Sequence, residues 1–195
     1  MKRAVVTLTR KGGDPFLDEC IASVAASGNP HIILECGDEW GQVLYQMKDC
    51  ADAVAWVDSD DYVYPDVMNK AFELMEQTQV GVVYTDEEVW KDGKVIFTKA
   101  VDQDLKFFRK FPFTVHHLAI TRKGSISERA LKCITQMNTI YDWPMRLDAA
   151  VNFGIKRLPK VGYAWRKHAA QETQSPNRAK YLQHSLDVVR KEYAQ

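Results

Sequence analysis

No apolar run in these 195 residues approaches the roughly 20 positions that a helix needs to cross a bilayer, so a membrane span is excluded. The opening Met1-Lys2-Arg3 leads straight into Ala4-Val5-Val6, without the apolar core and small-residue cleavage site of a secretory leader. Cysteine is scarce. Cys20, Cys36, Cys50 and Cys133 lack CxxC spacing, which argues against a zinc site or disulfide frame and for reduced thiols in a cytoplasmic protein. A glycine-rich phosphate loop is missing, as are repeats, low-complexity tracts and linkers. A chain of this length is expected to build one core, a single domain over residues 1–195.

Net charge is also missing, with 26 Lys/Arg against 26 Asp/Glu, but the balance conceals a strong polarity. Residues 1–98 hold 18 acidic side chains against 8 basic ones, and residues 99–195 hold 8 against 18. Two readings follow: the halves pair across the fold, or they line a cleft with an acidic wall for a cation and a basic wall for phosphates.

What is present is a regular alternation of strand and helix signals. The β-branched run Arg3 to Thr9 reads as a buried strand, and Asp14-Pro15 reads as a helix cap ahead of apolar residues at helical spacing up to Gly28. His31 to Leu34, Ala53 to Val57 and Val80 to Tyr84 read as further strands, with helices over Trp40 to Cys50 and from Pro65. Lys91-Asp92-Gly93-Lys94 predicts a hairpin turn between Glu88 to Trp90 and Val95 to Phe97. Beyond it the signals give a strand at Leu118 to Thr121, a helix over Asp142 to Phe153, short strands at Ile155 to Leu158 and Val161 to Trp165, and a helix over Asn177 to Tyr193. The expected fold is α/β, an open, mostly parallel sheet flanked by helices with a small antiparallel extension. Ligands of such sheets bind at the carboxyl ends of strands, which places Thr9, Glu35, Asp38 and Asp58 to Asp61 along one rim.

The sharpest feature is Trp56-Val57-Asp58-Ser59-Asp60-Asp61, three carboxylates in four positions after an apolar strand. Such charges repel, and an oxygen-liganded Mg²⁺ or Mn²⁺ relieves the repulsion while diphosphate oxygens complete its shell. A solvated turn capping the next helix is the plainer alternative. This run, with Tyr64-Pro65-Asp66 behind it, resembles the acidic motif of family 2 glycosyltransferases of the GT-A type. The opening strand with Thr9 is similar to that family's first βα unit. Tyr141-Asp142-Trp143-Pro144-Met145-Arg146-Leu147 is similar to its Glu-Asp-Trp segment, and Gly162-Tyr163-Ala164-Trp165-Arg166-Lys167-His168 to its closing segment.

The resemblance implies a GT-A-like domain with a nucleotide- and metal-binding half (1–98) and an acceptor-side half (99–195). It implies a metal-dependent, inverting transfer of sugar from a nucleotide diphosphate, most simply a UDP-sugar, to an acceptor hydroxyl. Asp60 would hold Mn²⁺ or Mg²⁺ with help from Asp61 and His168, and Asp58 would reach the ribose or donor sugar. Asp142, at a helix N-terminus that stabilises its carboxylate, would be the general base. Thr9, Glu35 or Asp38, and Arg166 would bind the nucleotide or its phosphates. Tyr141 stands where the family has Glu, which keeps open a non-catalytic nucleotide-sugar or glycan-binding module. The acceptor is left as a glycan, a lipid-linked sugar or a modified base in phage-type DNA. His116 and His117 read as structural, or at most as lining the acceptor side.

Overall fold

The computed structural model describes residues 1–37, 40–99, 101–137, 142–169 and 178–193, with Arg178 described by its backbone alone. β1 (Arg3–Arg10) is buried from Ala4 to Thr9. It lies between β2 (His31–Cys36) and β3 (Ala53–Asp58) and is parallel to both. The crossovers carry α1 (Leu17–Ala25) and α2 (Trp40–Met47). After β3 a tight turn passes through the two-residue β4 (Tyr62–Val63) into α3 (Pro65–Thr78), where Pro65 stands at a position whose N–H would be unpaired anyway. α3 buries Met68, Ala71, Phe72 and Met75, the larger of which contribute about 1.5–3 kcal/mol each.

The predicted hairpin joins β5 (Val82–Lys91) to β6 (Lys94–Lys99). Asp92 (φ 51°) and Gly93 (φ 72°) take the left-handed conformations that a two-residue turn of this hand requires. Then follow α4 (Leu105–Lys110), a 3₁₀ turn (Pro112–Thr114), β7 (Ala119–Arg122), α5 (Glu128–Ile134), α6 (Asp142–Phe153), β8 (Ile155–Lys167) and α7 (Arg178–Tyr193). The sheet order is β2-β1-β3-β7-β5-β8-β4, with β6 paired to β5. β1, β2, β3, β5 and β8 point one way, and β4, β6 and β7 the other. The molecule is thus a mixed α/β fold, a curled sheet of mostly parallel strands flanked by helices. β7, from the basic half of the sequence, lies between β3 and β5, which belong to the acidic half.

Several expectations need correction. Of the strand expected over Val80 to Tyr84, Val82 to Tyr84 join Glu88 to Trp90 in one strand, β5, because the polar Thr85-Asp86-Glu87 between them is satisfied by distant partners: Leu118 N–H, Arg157 and His116. The two short strands around Pro159 are likewise one strand. The register of β8 against β5 jumps from Leu158↔Thr85 to Val161↔Asp86, so Pro159 and Lys160 fall at an irregularity that spares proline a ladder bond. Asp14 does not cap α1. The helix starts two residues after Pro15, with Phe16 at the cap and no side-chain cap bond, and Asp14 turns toward Thr9 and Ser59 instead. β4, α4 and α5 carry no expectation from the sequence.

Gly81 lets α6 approach β5. A Cβ at that position would overlap the carbonyl group of Ala149 in α6. Gly81→Ala is therefore expected to cost about 3 kcal/mol and to lower the melting temperature by about 6–12 °C. A thermal melt followed by circular dichroism checks this, and an unchanged melting temperature would contradict the packing described.

Candidate functional site

β1, β2 and β3 end on one edge, where the register sets Thr9 beside Glu35 and Leu8 beside Asp58. The acidic turn is held at this edge from several sides. Asp61 N–H donates to Asp58 O at 3.2 Å, and Asp58 N–H donates to the hydroxyl of Tyr163 in β8 at 3.0 Å. Tyr62 and Val63 pair antiparallel with Ala164 and Tyr163, so β4 fixes the turn against the end of β8. The pairing brings His168, the residue after β8, to the turn, and its Nε2 lies 2.8 Å from Asp60 Oδ2. Ligand atoms of Asp58, Asp60 and Asp61 all lie within 4.8 Å of one another.

The three carboxylates occupy unlike environments. Asp61 is fully buried; its Oδ1 accepts from Arg166 N–H at 2.8 Å, while its buried Oδ2 makes no well-formed hydrogen bond among the described residues, the Tyr163 hydroxyl being near enough only to interact with the carboxyl. Burial, and then the charges of Asp60 and Asp58, push its carboxyl well above the usual range. Asp60 is also raised, by burial and then by Asp58. Asp58 has a side chain 55 % exposed at the rim but hemmed in by protein on its inner side. That crowding works against ionisation, yet His117, with Nε2 3.3 Å from Asp58 Oδ2, outweighs it and holds the carboxyl below the usual range. A cluster in which two acids resist ionisation and one buried oxygen lacks a well-formed hydrogen bond has the donor chemistry of a divalent-cation site.

The acceptor-side elements meet this turn through a buried arginine. Arg146 of α6 is 1 % exposed. Its Nη1 donates to Val115 O and His116 O at 2.7 Å each, and its Nη2 pairs with Asp142 and lies 3.4 Å from His117 Nε2. Burial lowers the guanidinium to about 10, so it stays a cation at neutral pH. His117 Nδ1 lies 3.3 Å from Trp56 O, a pure acceptor, so Nδ1 carries the proton there and Nε2 is the atom shared with Arg146 and Asp58. The imidazole stacks on Tyr163 with centroids 4.9 Å apart. A continuous path, Asp142 to Arg146 to His117 to Asp58, thus links the start of α6 to the end of β3. Beside it, His116 Nδ1 lies 2.6 Å from Oε2 of the buried Glu87. Burial lowers the His116 imidazole to about 4 despite that carboxylate.

The structure brings Asp58, Asp60, Asp61 and His168 together and connects Asp142 to them through Arg146 and His117. Thr9 is buried, and its hydroxyl donates to Asp14 Oδ2 at 3.0 Å, beneath the rim. Glu35 is exposed at the end of β2. Asp38 and Tyr141 lie outside the described residues. Arg166 is turned toward α1, with Nη2 2.6 Å from Glu19 Oε2 and its guanidinium 4.7 Å over the Phe16 ring. Three contributors escaped the sequence reading. Asp14 looked like a helix cap, and its carboxylate accepts from both Thr9 and Ser59. His117 carried no local signal, since its partners Trp56, Asp58 and Arg146 lie at least 29 positions away, and Arg146 offered locally only its pairing with Asp142 four positions before it, not its bonds to Val115, His116 and His117. The ion pairs Arg166–Glu19, Arg157–Asp86 and Lys99–Glu87 join the basic to the acidic half, so part of the charge polarity is neutralised within the fold, and His168–Asp60 and His116–Glu87 add contacts between the same halves.

No protein-family model matches this chain, and no curated protein matches its sequence. Solved structures do match. S. aureus TarS 1–349 in complex with UDP-GlcNAc aligns with a TM-score of 0.62 and 16 % identity, over 90 % of this chain and 61 % of that one. The same TarS segment in complex with UDP gives a TM-score of 0.60 at 16 % identity, over 97 % of this chain and 65 % of that one. A further structure of S. aureus TarS 1–349 gives a TM-score of 0.57 at 16 % identity, over 100 % of this chain and 71 % of that one. This chain spans 61 % of the length of the UDP-GlcNAc complex, under two thirds. Likeness at such identity establishes the fold alone, and that fold is of the GT-A glycosyltransferase type.

Proposed function

We propose that this chain is a metal-dependent glycosyltransferase of the family 2 kind, which moves a sugar from a UDP-sugar to an acceptor hydroxyl with inversion. The observation that carries the reading is the meeting of Asp60 and His168, 108 positions apart, at 2.8 Å beside Asp58 on the carboxyl edge of the sheet. Asp60 and His168 would hold Mn²⁺ or Mg²⁺, with Asp61 behind them. The mixed carboxylate and imidazole set favours Mn²⁺ of the two. Such a cation supplies stabilisation of the negative charge that leaves with the diphosphate. The complexes of the TarS neighbours with UDP and UDP-GlcNAc support a uridine diphosphate donor.

On the acceptor side, Asp142 takes the hydroxyl proton as the new bond from oxygen to the anomeric carbon forms and the bond to the diphosphate breaks. The N-terminus of α6 favours its carboxylate, and the pairing with Arg146 fixes its position. Asp58, kept ionised beside His117, would accept from donor hydroxyls. Glu35 lies on the same edge as a base- or ribose-side contact. The four free thiols are in keeping with a cytoplasmic setting. Residues 1–98 supply most of the donor site and residues 99–195 the acceptor side of one domain. Glycans, lipid-linked sugars and modified DNA bases are the acceptor classes to be tested.

The ion pair that occupies Asp142 favours a second reading, a binding module without turnover. One experiment separates the two. Purified protein with Mn²⁺ is screened against a panel of nucleotide sugars by thermal shift and then by nucleotide release. A UDP-sugar is expected to raise the melting temperature and to release UDP in an Mn²⁺-dependent manner. Binding without release establishes the module, and neither binding nor release removes both readings.

A further inference from the structure

Six of the nine exposed large apolar side chains among the described residues fall between positions 95 and 113: Val95, Ile96, Phe97, Val101, Phe107 and Phe113 are each 40 to 50 % exposed. Val95, Ile96 and Phe97 stand on β6, whose pairing among the described residues is to β5 alone, so its other edge is open, and the successive exposed residues from Lys94 to Thr98 present both faces to solvent. Lys99, at the end of β6, reaches the carbonyl of Phe113 at 3.4 Å, which makes the hairpin and the α4 region one surface. Phe107, Phe111 and Phe113 continue it as a row of rings with centroids 4.9 and 5.8 Å apart.

The charges on this surface are mostly of one sign. Lys91, Lys94, Lys106 and Lys110 are exposed around the apolar residues, and Lys167 Nζ lies 5.6 Å over the Phe97 ring. Of the acids in the same stretch, Asp92 is exposed at the hairpin turn between Lys91 and Lys94, Asp102 is paired with Arg157 at 3.0 Å, and Asp104 caps α4 by accepting from Phe107 N–H. Exposed aliphatic and aromatic groups ringed by lysines are the surface chemistry of a protein that dips into the interface of an anionic bilayer. Two other partners fit less well. A second copy adding to the open edge of β6 in symmetric antiparallel pairing would set Lys94 of one copy against Lys99 of the other, and like charges directly opposite are destabilising. Nucleic acid would match the lysines and rings but leave Val95, Ile96 and Val101 without an apolar partner.

We propose that the β5–β6 hairpin and the α4 region form a membrane-docking face that binds anionic lipid surfaces by inserting Ile96, Phe97 and Phe107 between lipid headgroups while the surrounding lysines contact phosphates. Binding of this kind does not require turnover, so its test stands apart from that of the transferase. The full chain is mixed with vesicles of phosphatidylcholine alone or with 30 % phosphatidylglycerol, and bound protein is measured by sedimentation. The expected result is binding to the anionic vesicles that falls at least tenfold in 0.5 M salt and weakens about fivefold for each of Lys91→Glu and Lys94→Glu. The double variant Ile96→Ser/Phe97→Ser is expected to lose at least tenfold in affinity while keeping its melting temperature, since both side chains are half-exposed. Several results would overturn the inference: no binding to anionic vesicles at low salt, binding indifferent to the double variant, a dimer on size exclusion that the double variant abolishes, or tight binding to an oligonucleotide with none to vesicles.

Discussion

Arg146→Met is expected to destabilise the protein by about 3–5 kcal/mol and to lower its melting temperature by about 8–15 °C. The guanidinium is fully enclosed and holds four groups at once: Asp142, the carbonyls of Val115 and His116, and the Nε2 side of His117. Methionine fills a similar volume but donates nothing. Two buried carbonyls would lose their donor, Asp142 its counter-charge, and His117 one of the two contacts that orient it toward Asp58. Arg146→Lys keeps the charge and loses the fork, so it should recover only part of the stability, because one ammonium cannot serve both carbonyls and the carboxylate in the same geometry. Arg3→Met is the control. Its partner Glu76 lies 3.6 Å away and half-exposed, and the pair is worth no more than about 1 kcal/mol. Thermal melts of the three variants decide the matter: equal small losses for Arg146 and Arg3 would show that the buried hub does not hold the acceptor side to the donor side.

The difference between those two arginines also shows what a sequence discloses. Arg146 was read only as one letter in a segment with a family resemblance, and its partners at 115 to 117 became visible once β7 was seen inserted between β3 and β5. Patterns confined to a few neighbours were legible: the β-branched run of β1, the Asp-Gly turn before β6, and the helix over Asp142–Phe153, which occurs with the bounds expected. Polarity misled wherever distant partners satisfied it. Thr85-Asp86-Glu87 has the composition of a loop, yet it runs through the middle of β5 because Arg157 and Lys99 neutralise its acids and His116 hydrogen-bonds Glu87. Asp14 before Pro15 has the form of a helix cap, but Ser59, 45 positions on, draws its carboxylate to the acidic turn.

The candidate site divides along the same line. The acidic turn was conspicuous as a local motif, and the reason for its position is local too, since it follows the last residue of a buried parallel strand. The partnership of Asp60 with His168 was suggested by resemblance, and the structure places the two side chains within hydrogen-bond distance. The orientation of Arg166 was not legible, because nothing in its own segment announces Glu19 and Phe16 on α1.

Asp60→Asn is expected to reduce Mn²⁺-dependent release of UDP by at least about a hundredfold while leaving the metal-free protein as stable as before, or slightly more stable. The two effects have opposite signs for one reason. Burial and the neighbouring charge of Asp58 raise the carboxyl of Asp60, which means that the folded protein disfavours its ionised form. At neutral pH the repulsion destabilises the fold, and a neutral amide of nearly the same shape relieves it, offsetting the weakened contact to His168. The same amide is a poor ligand for a hard cation, so the variant loses what the crowded charges are arranged to hold. Mn²⁺ at a hundred times its dissociation constant should stabilise the wild-type chain by about 2.7 kcal/mol and raise its melting temperature by about 5–10 °C, and it should shift the variant far less. Melts with and without Mn²⁺, run beside the release assay, read both effects on the same samples. A variant that turns over at the wild-type rate, or that gains as much from Mn²⁺ as the wild type does, would show that the cluster at Asp58 to Asp61 is a solvated turn and not a metal site.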